Sequence, residues 1–241
     1  MVQAINSQTG EAVAHNNHPL EPTSSPDIYL PLVMKEHTSS ILVYNMGATE
    51  ITSSTITLYS QNGITMTYGP FSLAAHAFKS VSLNDLGWSS PVAAGFRGSA
   101  KIYKGSGDTW KVGALVDTTW PSTPGTFTGY SGVDWGSDLY YVPLASNSTS
   151  GGVTQISVQN TGGEDAEVAV TYYDESGSPA GKETATVKPL AAHYFDQAES
   201  GLPASFSGSA VVTSTHNIVV TGLISRGRLN MVYLPLVIRN G

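Results

Sequence analysis

The chain is 241 residues long, 40% hydrophobic and only 12% charged, with a formal net charge of −7. An average soluble protein carries roughly 25% charged residues, so the polar surface must come largely from Ser, Thr, Asn, Gln and Gly, a composition common in secreted and cell-surface β proteins. The negative balance and the scattered Lys and Arg leave no cationic surface to displace counterions from phosphates, which argues against nucleic acid. The lack of cysteine excludes disulfides and thiolate metal sites, and no apolar run approaches the roughly 18 to 20 residues of a membrane span.

Residues 1–27 are polar, include Pro19, Pro22 and Pro26, and read as an extended N-terminal arm with too little apolar surface to offset its ordering entropy. The arm either drapes over its own domain or lies on a neighbouring molecule. Val2-Gln3-Ala4-Ile5-Asn6 after Met1 has neither a basic region nor an apolar h-region, so it is not read as a secretory leader. His15 and His18 are spaced for one helical face, but the flanking Asn16, Asn17 and Pro19 favour a loop over a metal site.

A four-residue phrase comes next and returns twice: Tyr29-Leu30-Pro31-Leu32, Tyr141-Val142-Pro143-Leu144 and Tyr233-Leu234-Pro235-Leu236. The stretches between the copies are themselves repeats. Ile41-Leu42-Val43-Tyr44-Asn45-Met46-Gly47 matches Ile156-Ser157-Val158-Gln159-Asn160-Thr161-Gly162, and Ile56-Thr57-Leu58-Tyr59 matches Val170-Thr171-Tyr172-Tyr173. Leu73-Ala74-Ala75-His76 matches Leu190-Ala191-Ala192-His193, Phe96 to Ala100 matches Phe206 to Ala210, and Val112 to Val116 matches Val220 to Ile224. Ordered blocks of this kind signal a duplication. The expected layout is an arm (1–27), a first repeat (28–139) and a second repeat (140–241).

Within each repeat, short period-2 runs rich in β-branched and aromatic residues, such as Val168, Val170 and Tyr172 alternating with Ala169, Thr171 and Tyr173, predict strands. Gln61-Asn62-Gly63, Glu175-Ser176-Gly177 and Thr161-Gly162-Gly163 supply turn chemistry between them. No helical periodicity of three turns or more is present. The expected fold is all-β: two tandem immunoglobulin-like antiparallel β-sandwiches with the N-terminal extended arm.

The repeats differ in one place. An insert at about 119–138 in the first holds Phe127, Tyr130 and Trp135, with Trp120 at its edge. All four tryptophans, Trp88, Trp110, Trp120 and Trp135, fall in the first repeat, so the shared core does not require them. The tryptophans are either local packing under the long insert or an exposed aromatic surface; in the second case Trp120, Phe127, Tyr130 and Trp135 are candidate ligand or interface aromatics, able to stack on sugar rings or to anchor a subunit contact. Asn147-Ser148-Thr149 is a glycosylation sequon.

Proline cannot donate to a ladder, so Pro31, Pro143 and Pro235 are expected on edge strands, at strand starts or at bulges. The terminal copy, extended by Val237-Ile238, has two readings. It closes the second repeat within its own molecule, as consecutive strands usually do, or the strand at 232–238 docks into a neighbouring subunit and grows a filament. Tyr29, Leu30, Pro31, Leu32, Tyr233, Leu234, Pro235, Leu236, Val237 and Ile238 are the candidate assembly contacts.

The three joints, Asn160-Thr161-Gly162 with Val170-Thr171-Tyr172-Tyr173-Asp174, and Gly201-Leu202-Pro203-Ala204 before Gly208-Ser209-Ala210-Val211-Val212 carry a resemblance. The chain from 28 to 241 resembles tandem β-sandwich repeats, bordered by a Tyr-Leu-Pro-Leu-Val phrase, of secreted and cell-surface proteins of filamentous green non-sulfur bacteria. The first repeat departs from that pattern with Val92-Ala93-Ala94-Gly95 in place of Leu-Pro-Ala. The resemblance implies an extracellular structural or adhesive role and brings no catalytic residues.

Enzyme signals are weak. Nucleophile-elbow, zinc-protease, phosphate-loop and dinucleotide motifs are absent, and His76 and His193 read as a shared turn position. Asp134 and Asp138 fall short of the six to eight oxygens a calcium ion takes. The expectation is a non-enzymatic extracellular or cell-surface protein that associates with itself as a fibre or surface-layer subunit, without metal or cofactor. The alternative is a module that binds a cell-surface glycan through the insert.

Overall fold

The computed structural model describes residues 2–5, 12–15, 27–35, 38–107, 109–119, 127–148, 152–226, 230–234 and 237–238, with 2–5, 12–15, 38, 110, 119, 127, 128, 225, 226, 230–234 and 237–238 described by their backbone. The chain divides into two compact units, Met1–Trp135 and Gly136–Gly241. Among the described residues every regular element is a strand except one turn of 3-10 helix, Thr109–Lys111.

Unit 1 contains β1 (Val2–Ile5), β2 (Ala12–His15), β3 (Asp27–Met34), β4 (Thr38–Asn45), β5 (Ile51–Ser60), β6 (Thr65–Leu73), β7 (Phe78–Ser82), β8 (Arg97–Tyr103), β9 (Val112–Thr119) and β10 (Phe127–Ser131). β1 and β2 pair antiparallel with each other, so the segment expected to be a plain extended arm carries a hairpin, and His15 ends a strand instead of lying in a loop. The remaining strands form two antiparallel sheets, in the orders β3-β8-β5-β6 and β10-β9-β4-β7.

Unit 2 contains β11 (Ser137–Ser148), β12 (Gly152–Asn160), β13 (Ala166–Asp174), β14 (Pro179–Val187), β15 (Ala192–Asp196), β16 (Ser205–Arg226), β17 (Asn230–Leu234) and β18 (Val237–Ile238). The first half of β16 lies between β11 and β13, with β14 outside β13. Its second half lies between β12 and β17, with β15 outside β12. This repeats the neighbour relations of unit 1, with β16 doing the work of β8 and β9 together. The difference has a local cause. In unit 1 the chain leaves β8 through Gly105 and Gly107, both at positive φ (83° and 116°), and a Cβ on Gly105 would stand 2.0 Å from the Thr52 carbonyl oxygen. Ser214-Thr215-His216-Asn217 in unit 2 holds no glycine, and the strand runs on.

The alternating pattern places the core. Ile56 and Leu58 are fully buried between half-buried Thr55, Thr57 and Tyr59, and Val168, Val170 and Tyr172 alternate likewise with less buried neighbours. In unit 2, Tyr140, Val142, Ile156, Val158, Phe195, Val212 and Ile218 share one apolar cluster, so strands from both halves of β16 enclose a single core.

Two repeated polar features hold equivalent loops. Asn45 and Asn160 are 2% and 0% exposed. The Asn45 amide nitrogen donates to the carbonyls of Thr49, Leu73 and Ala74 at 2.8, 3.2 and 3.0 Å, and its oxygen accepts the Gly47 N–H at 2.8 Å. Asn160 donates to Glu164 and Val187 at 2.6 and 3.0 Å and accepts from Gly162 at 2.8 Å. Gly98 and Gly208 are required by close approach, since an added Cβ would lie 2.2 Å from the Tyr59 carbonyl oxygen and 2.0 Å from that of Tyr173.

Candidate functional site

The first joint is core. Every residue from Ile28 to Met34 is buried, so Tyr29, Leu30, Pro31 and Leu32 present no free strand to a partner. The ladder to β8 slips between Leu30 and Val33, which puts Pro31 at a bulge on the edge strand of its sheet, the place its missing N–H dictates. A bulge strands backbone groups, and here one side chain takes both of them. The Tyr130 hydroxyl accepts the Leu32 N–H at 2.9 Å and donates to the Leu32 carbonyl at 2.8 Å. Tyr130 is 6% exposed, which fits packing under the insert better than an exposed ring: here it acts as a structural pin.

On the edge beyond, Tyr29 bridges Val133, with N–H to carbonyl bonds of 2.7 and 3.2 Å in the two directions. Burial, then the nearby Asp27 charge and Tyr59, push the Tyr29 hydroxyl up to about 12. Asp27 itself pairs with Lys101 at 3.0 Å.

The second joint lies in β11, and the ladder to β16 slips there too, between Val142 and Ala145. Val142 is buried, but Tyr141 is 41% exposed and Pro143 is exposed. The third copy occupies a different place. Tyr233 and Leu234 belong to β17 and pair with Leu223 and Gly222 of β16, while Val237 and Ile238 form β18 opposite Tyr141 and Tyr140. Both are pairings within unit 2. They match unit 1, where β10 pairs β9 and Val133 then bridges Tyr29. Pro235 and Leu236 lie outside the described residues.

Of the other insert aromatics, Trp120 lies outside the described residues, Phe127 begins β10, and Trp135 is half-buried. Asp134 is buried against Lys104, whose Nζ donates to Oδ2 at 3.1 Å, and the two side chains are 10% and 2% exposed. Asp138 is exposed on β11. Among the described residues no group of three or more His, Asp or Glu stands ready to hold a metal, and no helix is long and apolar enough to cross a membrane. The sequon side chain is engaged, Asn147 Nδ2 donating to the Leu202 carbonyl at 2.9 Å.

The two histidines do not share a position. His76 and Leu190 are the residues with φ of 61° in the equivalent turns, closed by Ala77 N–H to the Ala74 carbonyl and Ala191 N–H to the Lys188 carbonyl. His193 lies opposite Val158, as Lys79 lies opposite Val43. Matching the identical Leu-Ala-Ala-His letters slips the true register. His193 packs its ring on Phe195 at 4.8 Å, and burial holds its pKa below the usual histidine value.

No family model matches the chain. No curated protein matches it either. A solved structure titled "Crystal Structure of Thermotoga maritima 1070" aligns with 18% identity and a TM-score of 0.36, over 41% of this chain and 90% of that one.

Sequence reasoning missed the asparagine clamps and the Lys104–Asp134 pair. The clamps had a signal, since Asn-x-Gly recurs in the matched blocks and a short amide two residues before a glycine is a loop-pinning pattern. The ion pair had none, because nothing local links residues so far apart in the chain.

Proposed function

We propose that this chain is an extracellular or cell-surface structural protein, made of two tandem immunoglobulin-like β-sandwiches, that associates with copies of itself into a fibre or surface layer. The third joint pairs within its own unit, and the reading rests on that pairing being of a kind that another copy of the chain can supply. β17 is an edge strand added to the second half of β16, and β18 completes the row on β11. The same two rows of backbone donors and acceptors accept the equivalent strand of another copy without a new contact, which is how strand exchange makes open assemblies. Low charge, duplication of a β frame and the resemblance to bordered surface repeats support the setting. The alternative, a module that binds a cell-surface glycan through the insert, would have to do so without the Tyr130 hydroxyl, which is engaged at the bulge.

The test compares the full chain with a chain ending at Asn230, by light scattering and negative-stain imaging over a range of concentrations, with circular dichroism as the control for folding. Species larger than the monomer that disappear on truncation support the reading. A full chain that remains monomeric at every concentration sinks it. Adding a synthetic Met231–Ile238 peptide to the truncated chain gives a second readout, since restored folding shows that the strand can be supplied by another molecule.

A further inference from the structure

Lys104 and Asp134 form the most enclosed ion pair among the described residues. Side-chain exposure is 2% and 10% for this pair, against 26% and 16% for Lys101–Asp27 and 59% and 42% for Lys188–Asp165. The amine and the carboxyl are therefore in contact where little water reaches either. Lys104 follows β8, at the point where the chain leaves one sheet for the other, and its backbone is held by the Ser54 hydroxyl, which donates to the Lys104 carbonyl at 2.7 Å. Asp134 follows Val133, which is fixed in its bridge to Tyr29. Both side chains thus project from anchored backbone, with Lys104 Nζ donating to Asp134 Oδ2 at 3.1 Å. In unit 2 the stretch equivalent to the one after β8 is continuous strand, within β16.

We infer that Lys104 and Asp134 are the site of a spontaneous intramolecular amide crosslink. The step balances without any co-reactant. An ammonium proton passes to the Asp134 carboxylate, the neutral Nζ attacks Cγ, a second amine proton moves to the departing hydroxyl, and one water leaves as the Nζ–Cγ bond forms. Two opposite charges become one neutral amide. That change is favoured in a buried site, where charge is costly to desolvate, and fixed geometry supplies the high effective concentration that amide formation needs. In a chain without cysteine, this bond would be the covalent staple of unit 1, tying the β8–β9 crossover to the segment that closes the edge of β3. The inference is independent of how copies of the chain associate.

Intact-mass spectrometry of the purified full chain tests it, followed by proteolysis and sequencing of the fragments. The expected result is a mass lower than the sequence sum by one water, with a branched peptide joining Lys104 to Asp134. Lys104→Arg and Asp134→Ala should restore the full mass, while Asp134→Asn should reach the same product mass by losing ammonia. A wild-type chain at full mass, both freshly purified and after prolonged incubation in the folded state, overturns the inference without recourse to any variant. So does a water loss that maps to other residues.

Discussion

At the scale of single residues, the chain spends polar side chains on its own backbone. Tyr130 shows this most sharply, since one hydroxyl satisfies both backbone groups of Leu32 inside a buried bulge. Tyr130→Phe keeps the ring and leaves a buried N–H and a buried carbonyl unpaired, at about 1–3 kcal/mol for each orphaned group. Chemical denaturation of that variant should show unit 1 weakened by about 2 kcal/mol or more. A change within about 0.5 kcal/mol, the range of an inconsequential surface substitution, would show that the hydroxyl does not pin the bulge. The sequence revealed Tyr130 as a distinctive aromatic but not what it does, because the role depends on a bulge formed far away in the chain.

At the scale of elements, the strands were legible and their junctions were not. Burial follows the period-2 pattern along β5 and β13, and the prolines of the first two joints fall at register slips. The pattern does not say where a strand changes partners, and β16 runs for 22 residues through a sheet change that no glycine or proline marks. Identity misled in the turn before β7 and β15, where the backbone conformation, with φ of 61°, is repeated at His76 and Leu190 and the shared letters are not. The β13–β14 hairpin supplies a pH test. Asp174 accepts from the Ser176 hydroxyl at 2.6 Å and from the Ser176 and Ser178 N–H groups at 2.9 Å each, bonds that hold its carboxyl below the usual aspartate range. A carboxyl lowered by folding stabilises the fold above its unfolded pKa, and that contribution fades as pH falls through the folded value. The stability difference between wild type and Asp174→Ala should be constant near neutrality and shrink in acid below the ordinary carboxylate range. A difference that does not change with pH would mean that the charge of Asp174 is irrelevant to the turn.

At the scale of the whole molecule, the duplication makes the two units separately observable. All four tryptophans lie in the first unit, so their emission reports on unit 1 while circular dichroism reports on both. Asn160→Ala removes the clamp of unit 2, with an expected loss of about 2 kcal/mol from its unpaired carbonyls and the Gly162 N–H. That loss should move the dichroism transition to lower denaturant and leave the tryptophan transition in place. Equal movement of both signals would show that the units unfold as one body.

Association through the terminal strand is the central claim, and the lack of native cysteine permits a direct measurement of it. Ser225 and Met231 are register partners between β16 and β17, so a chain carrying Ser225→Cys and Met231→Cys locks that pairing as a disulfide under mild oxidation at assembling concentrations. Strand exchange predicts covalent dimers and higher multimers on a non-reducing gel, collapsing to the monomer on reduction. Monomer alone, with the thiols consumed, would place the strand in its own molecule and contradict the account.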